Sequence, residues 1–337
     1  MSKKTKEFVP PGLLYIADNI ISKQNILGAP KSEKSKWAKD IDFAKTKETI
    51  FYAGCGYQYS GSLESMMSLI RKTDKSVIGS DFAMGVASFQ KKLGIDAAGI
   101  YRKISTKESE SEAQPLKDAV KVLKKLGIEF GYLGEDEPCC GGLLYYAGLR
   151  EDFSNNAQEA YKKFKSLGVK RIISIVPSCT YALKTLIADC VPGYDIEVKH
   201  FTQVVLEGIQ SKGLRFPKEV KVAFHDPCQL GRYLNVIDEP RQILKAIKGI
   251  EVVEPEWTKG EWSTCCGGGG GFEVVFPELS EMLAVSRVEE MVKTGAQMFV
   301  TQCPGCIMQL KDGLKVLKVD NIEVIDLAEV IARAMEA

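Results

Sequence analysis

The chain carries the same succession of cysteine segments twice, and this repeat constrains its fold more than any other feature. The copy in the second half consists of three segments: Lys221-Val-Ala-Phe-His-Asp-Pro-Cys228, Cys265-Cys266-Gly267-Gly268 and Phe299-Val-Thr-Gln-Cys303-Pro-Gly-Cys306. The copy in the first half keeps the order: Thr49-Ile-Phe-Tyr-Ala-Gly-Cys55, Cys139-Cys140-Gly141-Gly142 and Ile172-Ile-Ser-Ile-Val-Pro177-Ser-Cys179. The spacing between the second and third segments is also nearly the same, with 39 positions from Cys140 to Cys179 and 40 from Cys266 to Cys306. We therefore expect two units with one fold.

Each unit alternates short apolar runs with helical segments. The runs predict three strands per unit: Thr49–Ala53, Ile128–Leu133 and Arg171–Val176 in the first, and Val220–Phe224, Ile250–Val253 and Met298–Thr301 in the second. A helix is predicted before each third strand, at Ala157–Leu167 and Ala284–Lys293. The sequence therefore predicts the α/β class, with each unit a small parallel sheet flanked by helices. Right-handed crossovers place the carboxyl ends of the strands, and so the cysteines, at one edge of each sheet.

The repeat divides the chain into three regions. An N-terminal arm, 1–45, is rich in lysine and irregular in pattern, and we expect it to pack on a neighbour. The first unit covers 46–216 and the second unit covers 217–337. The first is longer, since Cys139 lies 84 positions after Cys55 whereas Cys265 lies 37 positions after Cys228. We expect the extra residues to form an insertion at about 72–115, a surface element with some helix that serves as a lid or a docking element.

The composition of the whole chain excludes several classes of function. Lys plus Arg (45) almost equals Asp plus Glu (44), so a net charge of +1 gives no field that attracts nucleic acid, and we expect no such partner. No segment approaches the roughly 20 uncharged apolar residues of a membrane span. No signal peptide is visible, so we expect a cytoplasmic protein, with any membrane association made through a partner subunit. Because the cytoplasm keeps thiols reduced, ten cysteines favour metal binding or redox chemistry over disulfides.

Five cysteines converge in the second unit and predict a metal cluster: Cys228, Cys265, Cys266, Cys303 and Cys306. The two-residue spacing of Cys303 and Cys306 lets both sulfurs reach one centre, whereas the adjacent Cys265 and Cys266 point their side chains apart. A mononuclear tetrahedral site takes four ligands at most. A fifth cysteine and an adjacent pair therefore fit a cluster with several metal ions.

The first unit offers four candidate ligands: Cys55, Cys139, Cys140 and Cys179. Val176 stands where the repeat places Cys303 in the second unit. Four thiolates can hold an ordinary [4Fe-4S] cubane or one zinc ion, and the sequence leaves both open. The tenth cysteine, Cys190, lies beyond the motif, and we expect it to pack in the fold.

Other residues near the second motif are candidates for supporting roles. His225 could donate a hydrogen bond to the cluster, shuttle a proton, or bond the loop backbone. Arg232 faces either an anionic substrate or the solvent. Gly267 and Gly268 let the backbone pass close to a cluster and donate N–H groups to its sulfides. The chain lacks a CxxCxxC run, a GxGxxG after a strand and a phosphate loop, so we expect electrons to come from other subunits.

The repeated pattern resembles the cysteine-rich CCG family, whose best-known member is the catalytic subunit of heterodisulfide reductase. Iron–sulfur subunits of glycolate and lactate oxidising complexes are similar. The most specific segments are His225-Asp-Pro-Cys-Gln-Leu-Gly-Arg232, Cys265-Cys-Gly-Gly-Gly-Gly, Phe276-Pro-Glu-Leu and Cys303-Pro-Gly-Cys306. The resemblance covers about 12–337 and implies a non-cubane [4Fe-4S] cluster on the five cysteines of the second unit. Val176 departs from the complete motif, so the resemblance does not imply the same cluster in the first unit.

The resemblance also implies a function. We expect an iron–sulfur redox subunit of a multi-subunit oxidoreductase that reduces a disulfide, or oxidises thiols, at the non-cubane cluster. One alternative is an electron-relay subunit of a quinone- or flavin-linked complex of the glycolate or lactate oxidase kind. The other is a zinc-stabilised scaffold. The expected partners are a flavoprotein, a ferredoxin-type or a cytochrome b-type subunit, with a small-molecule disulfide or thiol as substrate, and we expect activity only in their company.

Overall fold

Two parallel sheets form the framework of the computed structural model, which describes residues 8–74, 113–209 and 213–336. The first sheet has the order β2-β1-β3-β4 and contains β1 (Thr49–Tyr52), β2 (Gly131–Tyr132), β3 (Arg171–Ser174) and β4 (Glu197–His200). The second has the order β6-β5-β7-β8 and contains β5 (Arg215–Phe224), β6 (Lys248–Val253), β7 (Met298–Thr301) and β8 (Glu323–Asp326). Every strand pair is parallel. The predicted α/β fold with two repeated units is therefore confirmed.

Helices flank both sheets. Those up to the end of the first unit are α1 (Pro11–Lys23), α2 (Gly54–Gln58), α3 (Ser60–Asp74), α4 (Gln114–Lys125), α5 (Gly142–Tyr146), α6 (Arg150–Ser166), α7 (Pro177–Tyr181), α8 (Ile187–Cys190) and α9 (Phe201–Ile209). Those of the second unit are α10 (Asp238–Ala246), α11 (Phe272–Val275), α12 (Pro277–Val292), α13 (Pro304–Val316) and α14 (Leu327–Ala334). Short 3₁₀ turns lie at Lys31–Glu33, Lys36–Ala38, Gly134–Asp136 and Gly260–Trp262, and π-helical turns lie at Ala182–Leu186 and Gln229–Tyr233.

The strand predictions were right in position but incomplete. The second strand of the first unit is shorter than predicted because the Ile128 N–H bonds to the Leu123 carbonyl and closes the end of α4. The fourth strand of each unit, β4 and β8, was not predicted. Each has only two buried residues, which is too short an apolar signal to distinguish a strand from a loop. The helix predicted from Ala157 begins earlier, at Arg150. The prediction missed its first two turns because they are mostly polar.

The described residues of the predicted N-terminal arm are more regular than expected and pack on their own chain, and a contact with a neighbour stays a prediction. Helix α1 buries Ile16 and Ile20 in the core of its own chain. Further along, Trp37 is buried and packs edge-on against Phe51 of β1, with 6.1 Å between the ring centroids. The apolar residues of α1 recur at helical spacing and so form a face that the first unit covers.

The two units share one hydrophobic core. Its buried residues include Ile50 and Ile172 from the first sheet and Val222 and Val300 from the second, together with Leu327. Helix α14, at the end of the second unit, packs against α4 of the first. Strand β5 begins two residues before the predicted boundary at 216/217, which therefore falls inside a strand. Residues 75–112 of the predicted insertion lie outside the described residues, and its described ends belong to α3 and α4.

Candidate metal centres

The second-unit cysteines meet at the carboxyl edge of the second sheet. Cys228 follows β5, the Cys265-Cys266 pair lies in the loop after β6, and Cys303 and Cys306 join β7 to α13. The Sγ atoms of Cys266 and Cys306 are 3.3 Å apart. A ring nitrogen of His225 and these two sulfurs lie within 4.8 Å of one another. The sheet edge thus brings together groups that lie up to 81 positions apart in the chain.

Hydrogen bonds within this group favour thiolates at two positions. Bonds with the Cys228 and Cys266 thiols hold the pKa of the Cys265 thiol well below its usual value, and the Gly267 N–H adds a bond of 3.4 Å to its sulfur. A bond with the Cys306 thiol, aided by backbone N–H groups, lowers the pKa of Cys303. Bonds within the same group raise the pKa of the Cys228, Cys266 and Cys306 thiols, so only two of the five favour the thiolate, the form that binds metal, in the metal-free protein.

Close backbone packing explains the glycines that follow the cysteine pair. Gly267 has a φ of +83°, and a Cβ there would lie 2.4 Å from the Ser280 carbonyl oxygen. A Cβ on Gly268 would lie 2.7 Å from Cγ of Gln309, on α13. The glycines therefore seat the loop that carries Cys265 and Cys266 directly on α12 and α13. Their proposed contact with a cluster stays a prediction.

A buried arginine that the sequence reasoning missed holds His225. Arg287 of α12 is fully buried, and its Nε donates to His225 Nδ1 at 3.0 Å. Because Nδ1 accepts this bond, the proton of the neutral imidazole is on Nε2. Burial lowers the pKa of His225 to about 3. The one sign of its burial in the sequence is the helical spacing that places Arg287 on the same face of α12 as Ala284 and Met291, which are buried.

Arg232 lies near the second site but bonds the backbone. Its side chain is exposed, and Nη1 donates to the carbonyl oxygens of Ser263 at 2.7 Å and Glu261 at 3.3 Å. These contacts fasten the loop that leads into Cys265. A contact between Arg232 and an anionic substrate stays a prediction.

The chemistry of the second site fits an anionic metal cluster. Five cysteine sulfurs form a soft donor set of the kind that iron–sulfur clusters and zinc prefer. Nη2 of Arg287 is a buried donor that has no hydrogen-bond partner within the described chain. The guanidinium already pairs with the Glu290 carboxylate through Nη1 at 3.0 Å, so the unmet need is an acceptor for the Nη2 donor, which is costly to bury without one. A sulfur of an iron–sulfur cluster is such an acceptor, and the residues present therefore suit a cluster of this kind.

The first-unit cysteines form a second, fully buried group. The Sγ atoms of Cys55 and Cys139 are 4.0 Å apart, and those of Cys140 and Cys179 are 3.3 Å apart. Val176 is the residue before the first turn of α7, just as Cys303 is the residue before the first turn of α13. The two positions are structurally equivalent, so the first group has an apolar side chain where the second has a cysteine. The tenth cysteine, Cys190, is half-buried and packs against the core at the end of α8.

Two residues of the N-terminal region build the surroundings of the first group. Lys34 Nζ is buried and donates to the Glu137 carbonyl at 2.7 Å, and Gln24 Oε1 accepts from the Cys139 N–H at 3.1 Å. The Glu137 carboxylate accepts from the N–H groups of Ala53 and Gly54, both at 3.0 Å. Burial raises the pKa of this carboxyl to about 7. Sequence reasoning missed all three polar side chains because none belongs to the repeated motif.

A cavity of about 170 Å³ lies between the two groups of cysteines. Its wall includes all four first-unit cysteines and Cys303 of the second unit. Apolar side chains of α1 and α3, such as Ile20 and Met67, line much of the remainder. Both candidate metal centres therefore face one space.

Comparison with known proteins identifies the family. The profile of the cysteine-rich domain named CCG matches residues 105–184 and 222–311, which together make half of the chain. The chain belongs to the CCG family. A subunit of the dihydromethanophenazine:CoB–CoM heterodisulfide reductase of Methanosarcina barkeri is 36% identical over 228 residues, or 64% of this chain and 54% of that protein.

Two further CCG relatives have different names. EtfAB:quinone oxidoreductase of Syntrophomonas wolfei is 34% identical, over 64% of this chain and 31% of its own length. A fumarate reductase (CoM/CoB) subunit of Methanothermobacter marburgensis is 29% identical, over 64% of this chain and 42% of its own length. The chain thus spans about half the length, or less, of these relatives, all of which are named as oxidoreductases or their subunits.

A solved structure agrees on the fold alone. A hypothetical protein from Helicobacter pylori matches with a TM-score of 0.50 and 15% identity, over 66% of this chain and 46% of the other. Within the described residues, no helix combines the length and the apolar character needed to cross a membrane. The cytoplasmic location stays a prediction.

Proposed function

We propose that this CCG protein is an iron–sulfur subunit of a multi-subunit oxidoreductase. In this proposal the second unit holds a non-cubane [4Fe-4S] cluster on Cys228, Cys265, Cys266, Cys303 and Cys306. The first unit holds a [4Fe-4S] cluster or a zinc ion on Cys55, Cys139, Cys140 and Cys179. Membership of the family and the names of its relatives support the redox role.

The difference in exposure between the two groups carries the proposal. Cys228, Cys265 and Cys303 are only half-buried, whereas all four first-unit cysteines are buried. The second group is therefore the more accessible to a substrate sulfur, while the more buried first group, which lines the cavity, suits electron transfer or a structural role. Reduction of a disulfide takes two electrons and two protons and gives two thiols. An iron–sulfur cluster supplies such electrons one at a time.

The protein side chains contribute position and hydrogen bonding in this proposal. Arg287 fixes the ring of His225 beside the sulfurs of Cys266 and Cys306, with its proton on Nε2. Because the imidazole resists protonation, hydrogen-bond donation is favoured over proton shuttling at neutral pH. Electrons would come from a flavoprotein, a ferredoxin-type or a cytochrome b-type partner.

Anaerobic analysis of the metal content tests the proposal. The wild-type protein should contain iron and acid-labile sulfide, and addition of thiols to the oxidised protein should change its electron paramagnetic resonance spectrum. Cys303→Ser should lose the signal of the second-unit cluster. Cys190→Ser, at a cysteine away from both groups, should keep it. A protein with no iron and sulfide would contradict the proposal, and two zinc ions per chain would favour the zinc-stabilised scaffold.

A second candidate function is electron relay without a substrate at the second cluster. The valine at Val176, which leaves the first group one ligand short, and the similarity to EtfAB:quinone oxidoreductase favour it. The protein would then pass electrons between partner subunits of a quinone- or flavin-linked complex. A resonance spectrum that responds to reduction but is unchanged by thiols would favour this relay.

A further inference from the structure

We infer that the contact between α2 and the first turn of α13 sets the electronic coupling between the two metal centres, with Gly56 and Tyr57 as its positioning residues. This inference rests on the proposed function and takes the first centre to be an iron–sulfur cluster. Iron–sulfur clusters held by the two groups of cysteines would supply one-electron transfer: one cluster would lose an electron, the other would gain it, and a one-electron donor partner would replace the electron lost.

The two ligand-bearing segments pack closely, with the ring of Pro304 against the backbone of Gly56. Cys55 and Gly56 are neighbours in α2, and Cys303 and Pro304 are neighbours at the start of α13. A Cβ on Gly56 would lie 2.6 Å from Pro304 Cγ, a distance at which one of the two must move. The absence of a side chain on Gly56 therefore allows the first-unit ligand segment to lie directly against the second-unit segment.

A buried hydrogen-bond bridge runs beside this contact. Tyr57, two residues after Cys55, donates its hydroxyl hydrogen to the Asp326 carboxylate. The other oxygen of Asp326 accepts from Gln302 Nε2 at 2.7 Å, and Gln302 directly precedes Cys303. Tyr57 is 1% exposed, and the other two are fully buried. Bridge and contact together give two routes between the ligand segments, and the bridge is buried throughout, whereas Gly56 and Pro304 are half-buried at the wall of the cavity.

The bridge is not a by-product of the repeated fold. Asp326 ends β8 and pairs with Thr301, and the equivalent residue of the first unit is His200, which ends β4 and pairs with Ser174. The His200 ring instead makes its contacts within its own unit. It lies 3.0 Å from the Ile175 carbonyl oxygen and 3.1 Å from Thr202 Oγ1. The repeat is therefore broken at the residue that reaches from one unit to the other.

The test uses one substitution that creates a clash between the two segments and a second that removes it. The full chain is loaded anaerobically with iron and sulfide, and metal content and paramagnetic resonance of the dithionite-reduced protein are measured. Gly56→Ala should keep both centres but lose the splitting and broadening caused by their magnetic interaction. Pro304→Ala removes the atom at 2.6 Å and leaves Cβ at 3.6 Å, an ordinary contact. The double variant Gly56→Ala/Pro304→Ala should therefore regain the interaction.

Tyr57→Phe is the second variant, since it removes one oxygen and keeps the ring. It should weaken the magnetic interaction without lowering the iron content. An undiminished interaction in Gly56→Ala and Tyr57→Phe, both with full iron, would overturn the inference. So would a zinc ion in the first centre, although the proposed function of the second unit would stand. Absence of iron from the wild-type protein would instead refute the proposed function itself.

Discussion

Replacing Asp326 by asparagine tests the buried bridge through its dependence on pH. The Asp326 carboxylate is fully buried and accepts bonds from Tyr57, Gln302 and the Ala328 N–H. Burial raises the pKa of its carboxyl from an ordinary 3.8 to about 7, against the opposing effect of these bonds. An asparagine has the same shape and carries no charge. The variant therefore removes the titration while it keeps the packing.

The direction in which the free energy of unfolding changes with pH follows from the direction of the pKa shift. The folded protein binds this proton more tightly than the unfolded chain, so the carboxyl's contribution to stability is complete below about pH 4 and is lost as the pH rises through about 7. A pKa difference of about 3 corresponds to about 4 kcal/mol. The Asp326→Asn variant has no such loss. From about pH 5 to about pH 8, its free energy of unfolding should rise by about 2.5 kcal/mol relative to the wild type.

Urea unfolding of the metal-free, reduced proteins across this pH range measures the difference. Asp320→Asn, at an exposed position, controls for the loss of one negative charge. Carbon-13 resonances of the carboxyl groups report the Asp326 titration directly and do not depend on reversible unfolding. Stability curves of Asp326→Asn and wild type that run parallel from about pH 5 to about pH 8 would refute the reasoning, because the carboxyl would then titrate alike in both states.

Two more predictions concern the second site. Gly267→Ala should lower the free energy of unfolding by about 2–4 kcal/mol, because its Cβ would meet the Ser280 carbonyl oxygen. Gly270→Ala, with φ at +67° but open space around it, should cost about 1 kcal/mol, and equal losses in urea unfolding would contradict the close packing. Arg287→Met should cost about 3 kcal/mol, since it leaves His225 Nδ1 without its donor. It should also lower the midpoint potential of the second-unit cluster, because a buried positive charge is lost, and an unchanged potential in a redox titration would count against that placement.

The sequence alone determined the parts of this protein that repeat. Two cysteine motifs of matched order predicted two parallel-sheet units and the edges at which the nine motif cysteines gather. Val176 stands in the first motif where the second has Cys303, which predicted that the first unit lacks one ligand. In the structure the two residues occupy equivalent positions, each directly before a helix. The prediction of two parallel-sheet units succeeded because strand periodicity and motif spacing are local properties of the chain, whereas the two ligand sets stay a prediction. Strands β4 and β8 escaped for the same reason, since two buried residues are too few to show a period.

Only the tertiary structure decided what surrounds the cysteines. Arg287 could equally have been a solvated helix residue, and Lys34 belonged to a segment that looked irregular. Gly56 acquires its importance from Pro304, which lies 248 positions further along the chain. Contacts between such distant positions leave no periodic pattern in the sequence, and the same residue types are common on exposed surfaces. Burial makes Arg287 a cation beside one candidate metal centre and Lys34 a support for the other, and close packing makes Gly56 part of the contact between the two.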